Sequence, residues 1–364
     1  MQLRDWIFGL FGAKARTAEG QPRARGQATH VIILDGTASS LVSGRETHAG
    51  MTYKLLNEVG HSANLTVHYE AGIQWRDWRG TWDVITGKGI NKQIERAYGV
   101  LASRYRPGDK IVLIGYSRGA YAVRSLAGVI EIVGLVKHDC ATVRTIRTAY
   151  RHYRTGGRSK FAKQFRAQHC HSRADTAIEA VAVWDTVKAL GLRVPILWRW
   201  LDPAQPFHNH TLGPQVRNGF HALALDETRE AYAPVLWTSP TGWTGNMEQV
   251  WFRGSHSDVG GQITSLPAAR PLANISLVWM LERLEMCGVP LPDHWESRFE
   301  TDVNAPSCGS WRRWGKVFWG RRRRLVGMDA SERLHITVDP ARYRKAFVRD
   351  FQQARSDQVT PQSS

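Results

Sequence analysis

The chain has 364 residues, 42% of them hydrophobic and 22% charged, so it can bury a large core, and one enlarged domain with insertions fits better than two. Its 49 Lys and Arg against 32 Asp and Glu give a formal charge of +17, which calls for an anionic partner: phospholipid, nucleic acid or an acidic polymer. Cys140, Cys170, Cys287 and Cys308 lie far apart without C-x-x-C spacing and read as isolated thiols of a reduced compartment, and no apolar run reaches transmembrane length.

At the start, Leu3, Trp6, Ile7, Leu10 and Phe11 stand against Arg4, Lys14 and Arg16, as in a short interfacial helix, with a frayed terminus as the alternative. Asp5 lies where a signal peptide would be purely basic, so the expectation is cytoplasmic synthesis, with peripheral membrane association or export by a dedicated secretion system. Residues 1–28 thus form an N-terminal segment ending in a polar linker. His30-Val-Ile-Ile-Leu-Asp35 is a buried-strand run closed by Asp35-Gly36-Thr37. A helix over Glu46 to Val59 and a strand over Leu65 to Tyr69 continue the alternation, followed by a Trp- and Gly-rich loop. Ile90, Ile94, Ala97, Tyr98 and Leu101 mark the next helix, which Pro107-Gly108-Asp109 stops.

Lys110 to Tyr121 reads as a buried strand, a serine between two glycines, and a helix start. Gly115-Tyr-Ser-Arg-Gly119 has the G-x-S-x-G spacing of a nucleophile elbow, which lifts the Ser117 hydroxyl above the strand ends and sets it at a helix N-terminus. Between Cys140 and Asp175 a helical insertion, about 138–175, carries Arg144, Arg147 and Arg151 opposite Ile146, Tyr150 and Tyr153, without an acid between Asp139 and Asp175. Such a face suits an anionic surface; a plain solvated helix pair is the alternative.

Ala177 to Trp184 is a third apolar strand, and Asp185 ends it where an orienting carboxylate would be wanted, although strand-end Asp residues are commonly turn formers or helix caps. Pro195 to Gly219 reads as loop and His221 to Arg229 as a short helix. Gln249 to Arg253 reads as the last strand, with Gly254 to Gly261 as the loop leaving it; Leu272 to Met286 closes the domain with a helix. His256, between that strand and a Gly-Gly turn, is free to project. From Asp293 the alternation fades. Trp311 to Arg324 holds seven basic residues, four large aromatics and no acid. Trp311, Trp314, Trp319, Arg321, Arg322, Arg323 and Arg324 are therefore candidates for anchoring at an anionic bilayer or stacking on single-stranded bases.

Ser117, Asp185 and His256 follow the chain order of α/β hydrolases. In that arrangement His256 takes the Ser117 proton, Asp185 fixes its tautomer, and the oxyanion is held by the backbone N–H of Arg118 and a donor at Gly36 or Thr37. Asp258 is the alternative acid, and Asp226 is also eligible.

Leu34-Asp-Gly-Thr37, Gly115-Tyr-Ser-Arg-Gly119, Val183-Trp-Asp-Thr-Val187, Leu225-Asp-Glu-Thr-Arg229 and Trp251-Phe-Arg-Gly-Ser-His-Ser-Asp-Val-Gly-Gly261 together resemble the α/β-hydrolase domain of type VI secretion phospholipase effectors, over roughly residues 29 to 285. The chain differs from the usual pattern at Ala38-Ser39 and Gln262-Ile263. The resemblance implies an α/β-hydrolase fold, a mostly parallel sheet flanked by helices, with the family's serine, aspartate and histidine on Ser117, Asp185 and His256.

The expected organisation is residues 1–28, a hydrolase domain over 29–290, and a basic extension over 291–364 with a disordered end. The expected activity is that of a serine esterase on lipid acyl esters, phospholipids foremost, without metal or cofactor, and with an anionic membrane surface as partner. The competing readings are a binding protein for nucleic acid or acidic polymer on a hydrolase scaffold, and an esterase for non-lipid substrates.

Overall fold

The computed structural model describes residues 26–60, 64–72, 88–187, 211–263, 266–311 and 320–342. Among them, β1 (Thr29–Leu34), β2 (Leu65–Glu70), β3 (Lys110–Tyr116), β4 (Ile178–Trp184), β5 (Val216–Ala224), β6 (Asn246–Phe252) and β7 (Glu332–Leu334) form one sheet in the order β2-β1-β3-β4-β5-β6-β7. Every pairing is parallel. A parallel sheet needs cover on both faces, which is why its central strands are uninterrupted apolar runs.

Alternate side chains go to opposite layers. Ile32, Leu34, Leu113, Val181 and Val183 pack with α2 (Lys88–Arg104), α3 (Arg118–Val133) and α4 (Val143–Arg154), through Ile94, Tyr98, Leu126, Ile130 and Tyr150. Val31, Ile33, Val112, Ile114, Ala182 and Trp184 pack with α1 (His48–Val59) and α7 (Arg270–Met286), through Leu55, Leu56, Leu277, Met280 and Leu284. The result is the three-layer architecture of an α/β hydrolase.

The basic insertion is helical, as its periodicity predicts. α4 buries Ile146, Ala149, Tyr150 and Tyr153 and leaves Arg144, Arg147, Arg151 and Arg154 exposed. Thr142 caps α4 by accepting from Thr145 N, and Ser159 caps α5 (Lys160–His169) by accepting from Ala162 N.

Two expectations need correction. The stretch from His221 is strand: β5 runs to Ala224 between β4 and β6. Its Ala and Leu residues favour helix in isolation, but Phe220, Ala222 and Ala224 feed one apolar layer while Leu223 and Leu225 pack elsewhere with Trp251. A short apolar run does not by itself distinguish strand from helix. Nor is β6 the last strand. Glu332, Arg333 and Leu334 pair with Gln249, Val250 and Trp251, and Trp251 Nε1 donates to Glu332 Oε2 at 2.8 Å.

From β1 the chain steps outward to β2, then returns past β1 to β3 and continues through β4. The direction reverses between β1 and β3, and in open α/β sheets the crevice beyond the carboxyl ends of such strands is where ligands bind. Ser117 stands at the end of β3 and Asp35-Gly36-Thr37 at the end of β1.

Candidate active site

The turn from β3 into α3 is tight enough to dictate its sequence. A Cβ on Gly115 would lie 2.7 Å from the Ala120 backbone, and one on Gly119 would lie 2.0 Å from the Leu34 carbonyl oxygen. Both positions therefore exclude a side chain. Ser117, between them, has φ 58° and ψ −118°, a conformation that a non-glycine residue adopts only under constraint. Its hydroxyl is thereby held clear of the strand, at the first turn of a 16-residue helix.

His256 opens α6 (His256–Val259), whose start is fixed by a capping box: Asp258 accepts from Ser255 N at 2.7 Å, and the Ser255 hydroxyl caps in return. The imidazole stacks on Tyr116, with centroids 4.9 Å apart and planes at 29°, and meets the edge of Tyr232 at 4.8 Å. The Tyr116 hydroxyl donates to the His256 carbonyl at 3.2 Å. His256 Nε2 lies 2.9 Å from Ser117 Oγ. Its Nδ1 lies 2.5 Å from Asp185 Oδ2. The three residues named from the sequence therefore meet as one hydrogen-bonded row, with His256 between Ser117 and Asp185.

Asp185 follows β4 with φ 41° and is fully buried. Besides the imidazole it accepts from Ala224 N at 3.0 Å and from both terminal nitrogens of Arg324, at 2.5 and 2.9 Å. Burial alone would raise its pKa, but the Arg324 charge and the His256 hydrogen bond outweigh burial and hold the carboxyl well below the usual range. For His256, burial lowers the pKa further than Asp185 raises it. The balance favours the neutral imidazole, the form that can accept a proton.

The alternative acid is not at this site. The Asp258 carboxylate is taken up by Ser255 N, the Ser255 hydroxyl, the Ser307 hydroxyl and Cys308 N. It fixes the loop that carries His256 rather than the ring. Asp226 likewise accepts from Gly254 N at 2.7 Å.

Of the candidate oxyanion donors, Arg118 begins α3, and the loop after β1 abuts Ser117: a Cβ on Gly36 would sit 3.3 Å from Ser117 Cβ. Gly36 N–H, however, donates to Asp35 Oδ1 at 2.6 Å, so it is already engaged. Asp35 also accepts from the Thr47 and Tyr69 hydroxyls, each at 2.7 Å, and burial pushes its pKa up to about 6. Gln262, one of the positions where the sequence departs from the family pattern, donates from Nε2 to Thr37 O at 3.1 Å and so ties this loop to the His256 loop.

The other candidates separate by location. Arg144, Arg147, Arg151, Arg322 and Arg323 are exposed. Trp311 is exposed, with the Arg321 guanidinium 3.9 Å over its ring, and Arg321 donates to Ser310 O at 3.1 Å. Trp314 and Trp319 lie outside the described residues. Arg324 corrects the surface expectation, since it is 6% exposed and turned inward onto Asp185. A run of four arginines gives no local sign of which one faces in. Tyr232 and Glu227, which accepts from His256 N at 3.2 Å, also went unmarked as site residues. Among the described residues no group of three or more His, Cys, Asp or Glu is placed to hold a metal ion. Among them, too, no helix is long and apolar enough to cross a membrane.

Comparison with known proteins adds three findings. The family described as type VI secretion system phospholipase effector Tle1-like, catalytic domain, matches residues 29–283. The uncharacterized protein YEL023C of Saccharomyces cerevisiae is 28% identical over 149 residues, 35% of this chain and 22% of that one. The structure of the Tle1 effector bound to the VgrG spike from the type 6 secretion system superposes with a TM-score of 0.35 and 19% identity, over 65% of this chain and 52% of that one. The chain thus spans about a fifth of the yeast protein's length and about half of the effector's.

Proposed function

Because the chain belongs to the family of type VI secretion Tle1-like phospholipase effector catalytic domains, we propose that it cleaves carboxylic esters of phospholipids through Ser117, His256 and Asp185 by way of an acyl-enzyme. The observation that carries this reading is the row Ser117 Oγ, His256 Nε2 at 2.9 Å, His256 Nδ1 and Asp185 Oδ2 at 2.5 Å, at the switch point of a parallel sheet. Ser117 Oγ attacks the acyl carbonyl carbon while His256 Nε2 takes its proton. The C–O bond to the leaving alcohol, a lysophospholipid, then breaks, and the imidazolium returns the proton to that alcohol. Water repeats the sequence on the acyl-serine, releasing fatty acid and restoring the hydroxyl.

The developing oxyanion is met by Arg118 N–H at the positive end of α3 and, since Gly36 N–H is engaged, by Thr37 N–H. The exposed arginines of α4 and the Trp311 to Arg323 region act as the contact with an anionic bilayer. Action beyond the producing cell would go through a dedicated secretion system.

A fluorophosphonate probe tests the proposal, since it is expected to label Ser117 in the wild-type protein. Ser117→Ala should keep the wild-type melting temperature and lower kcat roughly 10⁴- to 10⁶-fold. Fatty acid release from mixed phospholipid vesicles, followed by mass spectrometry, should vanish with it. Release that persists in Ser117→Ala would end this reading.

A further inference from the structure

Asp185 binds two nitrogen-bearing side chains, and only one of them is the imidazole. Arg324 Nη1 donates to Oδ1 at 2.5 Å and Nη2 to Oδ2 at 2.9 Å, a two-pronged grip on a buried carboxylate. The same nitrogens donate to Ala224 O at 2.7 Å and Tyr232 O at 2.6 Å. We propose that Arg324 is a positioning residue of the active site, whose fork turns Asp185 Oδ2 toward His256 Nδ1 while its contact with Tyr232 holds the ring that walls the imidazole. This inference rests on the triad reading above.

Two observations separate it from ordinary packing. Asp185 lies just beyond β4 with φ 41°, its N–H still on Ala222 O of β5, and its carboxylate is gripped by Ala224 N and by Arg324 as well as by the imidazole. Further, Arg324 lies outside the stretch that matches the family, residues 29–283. It arrives on a segment anchored on both sides. Upstream, Arg322 N donates to Thr228 O at 2.7 Å. Downstream, Gly327 N and Asp329 N donate to Glu332 at the start of β7. The Ser117 site is therefore complete only when this C-terminal segment is docked on the sheet.

The charge has a defined effect. A cation that shares the Asp185 carboxylate weakens its support of an imidazolium, so Arg324 keeps His256 unprotonated at lower pH. The other groups facing His256 are Glu227, which accepts its backbone N–H, Arg229, and the rings of Tyr116 and Tyr232. Changes at position 324 leave these four side chains in place but remove the Arg324 contact with the Tyr232 carbonyl and the Arg324 charge beside Glu227.

The test compares Arg324→Met and Arg324→Lys in the full chain, reading kcat and KM against pH on a p-nitrophenyl ester together with the downfield proton resonance of His256 Nδ1–H. Arg324→Met should lower kcat about 10- to 100-fold with little change in KM, move the acid limb of kcat/KM to higher pH, and shift or broaden that resonance. Arg324→Lys should restore the limb through its charge but only part of kcat, because an ammonium cannot hold both oxygens in one plane. Wild-type kcat, limb and resonance in Arg324→Met overturn the inference. Should that variant not fold, Arg324→Gln and Arg324→Lys carry the same comparison, and an unmoved limb and resonance in both overturn it equally. A wild-type protein without ester turnover or Ser117 labelling would instead sink the triad reading, and the resonance would still report whether Arg324 orients Asp185.

Discussion

At the scale of single residues, the site separates two carboxylates that the sequence offered as first choice and alternative. Asp185 and Asp258 both lie near His256, but both oxygens of Asp258 accept from backbone or hydroxyl donors, while Asp185 reaches Nδ1. Their substitutions should therefore differ in kind. Asp185→Asn is expected to lower kcat about 10⁴-fold, since an amide donor there favours the wrong imidazole tautomer. Asp258→Asn puts an NH₂ group where donors converge; it should cost roughly 1–2 kcal/mol of stability through the lost cap, with kcat within a few-fold of wild type. Parallel melting curves and p-nitrophenyl ester kinetics check this, and a larger kcat loss in Asp258→Asn would reverse the assignment. Ser117 was legible because Gly115 and Gly119 advertise a turn with no room for Cβ atoms. Arg324 was not, because its inward orientation depends on where residues 320–334 dock.

At the scale of elements, periodicity served well where an element has one apolar stripe. α2 and α4 show it, and both were legible. β5 was not, because a central strand buried on both faces shows neither a period of two nor a period of 3.6. β7 escaped notice because three residues carry too little pattern, and its pairing with β6 spans more than 80 positions of chain. α4 also makes a prediction of its own. Arg144, Arg147 and Arg151 are exposed on the face opposite Ile146 and Tyr150, so changing all three to Ser should leave stability and soluble-ester kcat unaltered. Partition onto vesicles rich in anionic lipid should fall by roughly two orders of magnitude, at about 1 kcal/mol per charge near the surface. Sedimentation with vesicles measures it, and unchanged partition would remove α4 from the membrane contact.

For the whole molecule, the buried histidines govern the response to acid. Burial lowers the pKa of His221 to about 3 and of His335 to about 4, and holds His48 well below 6.5. Below pH 6.5 the unfolded chain takes up protons at these positions that the folded chain refuses, so stability falls as pH drops through this window. Asp35 works in the opposite direction: burial raises its folded pKa to about 6, above the ordinary range of a carboxylate, so it favours the folded state as pH falls through that interval. Three histidines outweigh one aspartate. The urea midpoint should decline from pH 7 to pH 4, and a flat or rising midpoint would contradict this balance.

Taken alone, the sequence determined the parallel α/β architecture, the tight Gly-x-Ser-x-Gly turn at Ser117 and the chain order of the proposed Ser117, Asp185 and His256, because apolar runs and glycine spacing act over a few residues. Tertiary structure decided which carboxylate faces the imidazole, that Gly36 N–H is already engaged, and that one arginine of a basic run completes the site. The row joins positions 139 and 71 residues apart in the chain. At such separations, what meets is set by strand order and register, and no local pattern records them.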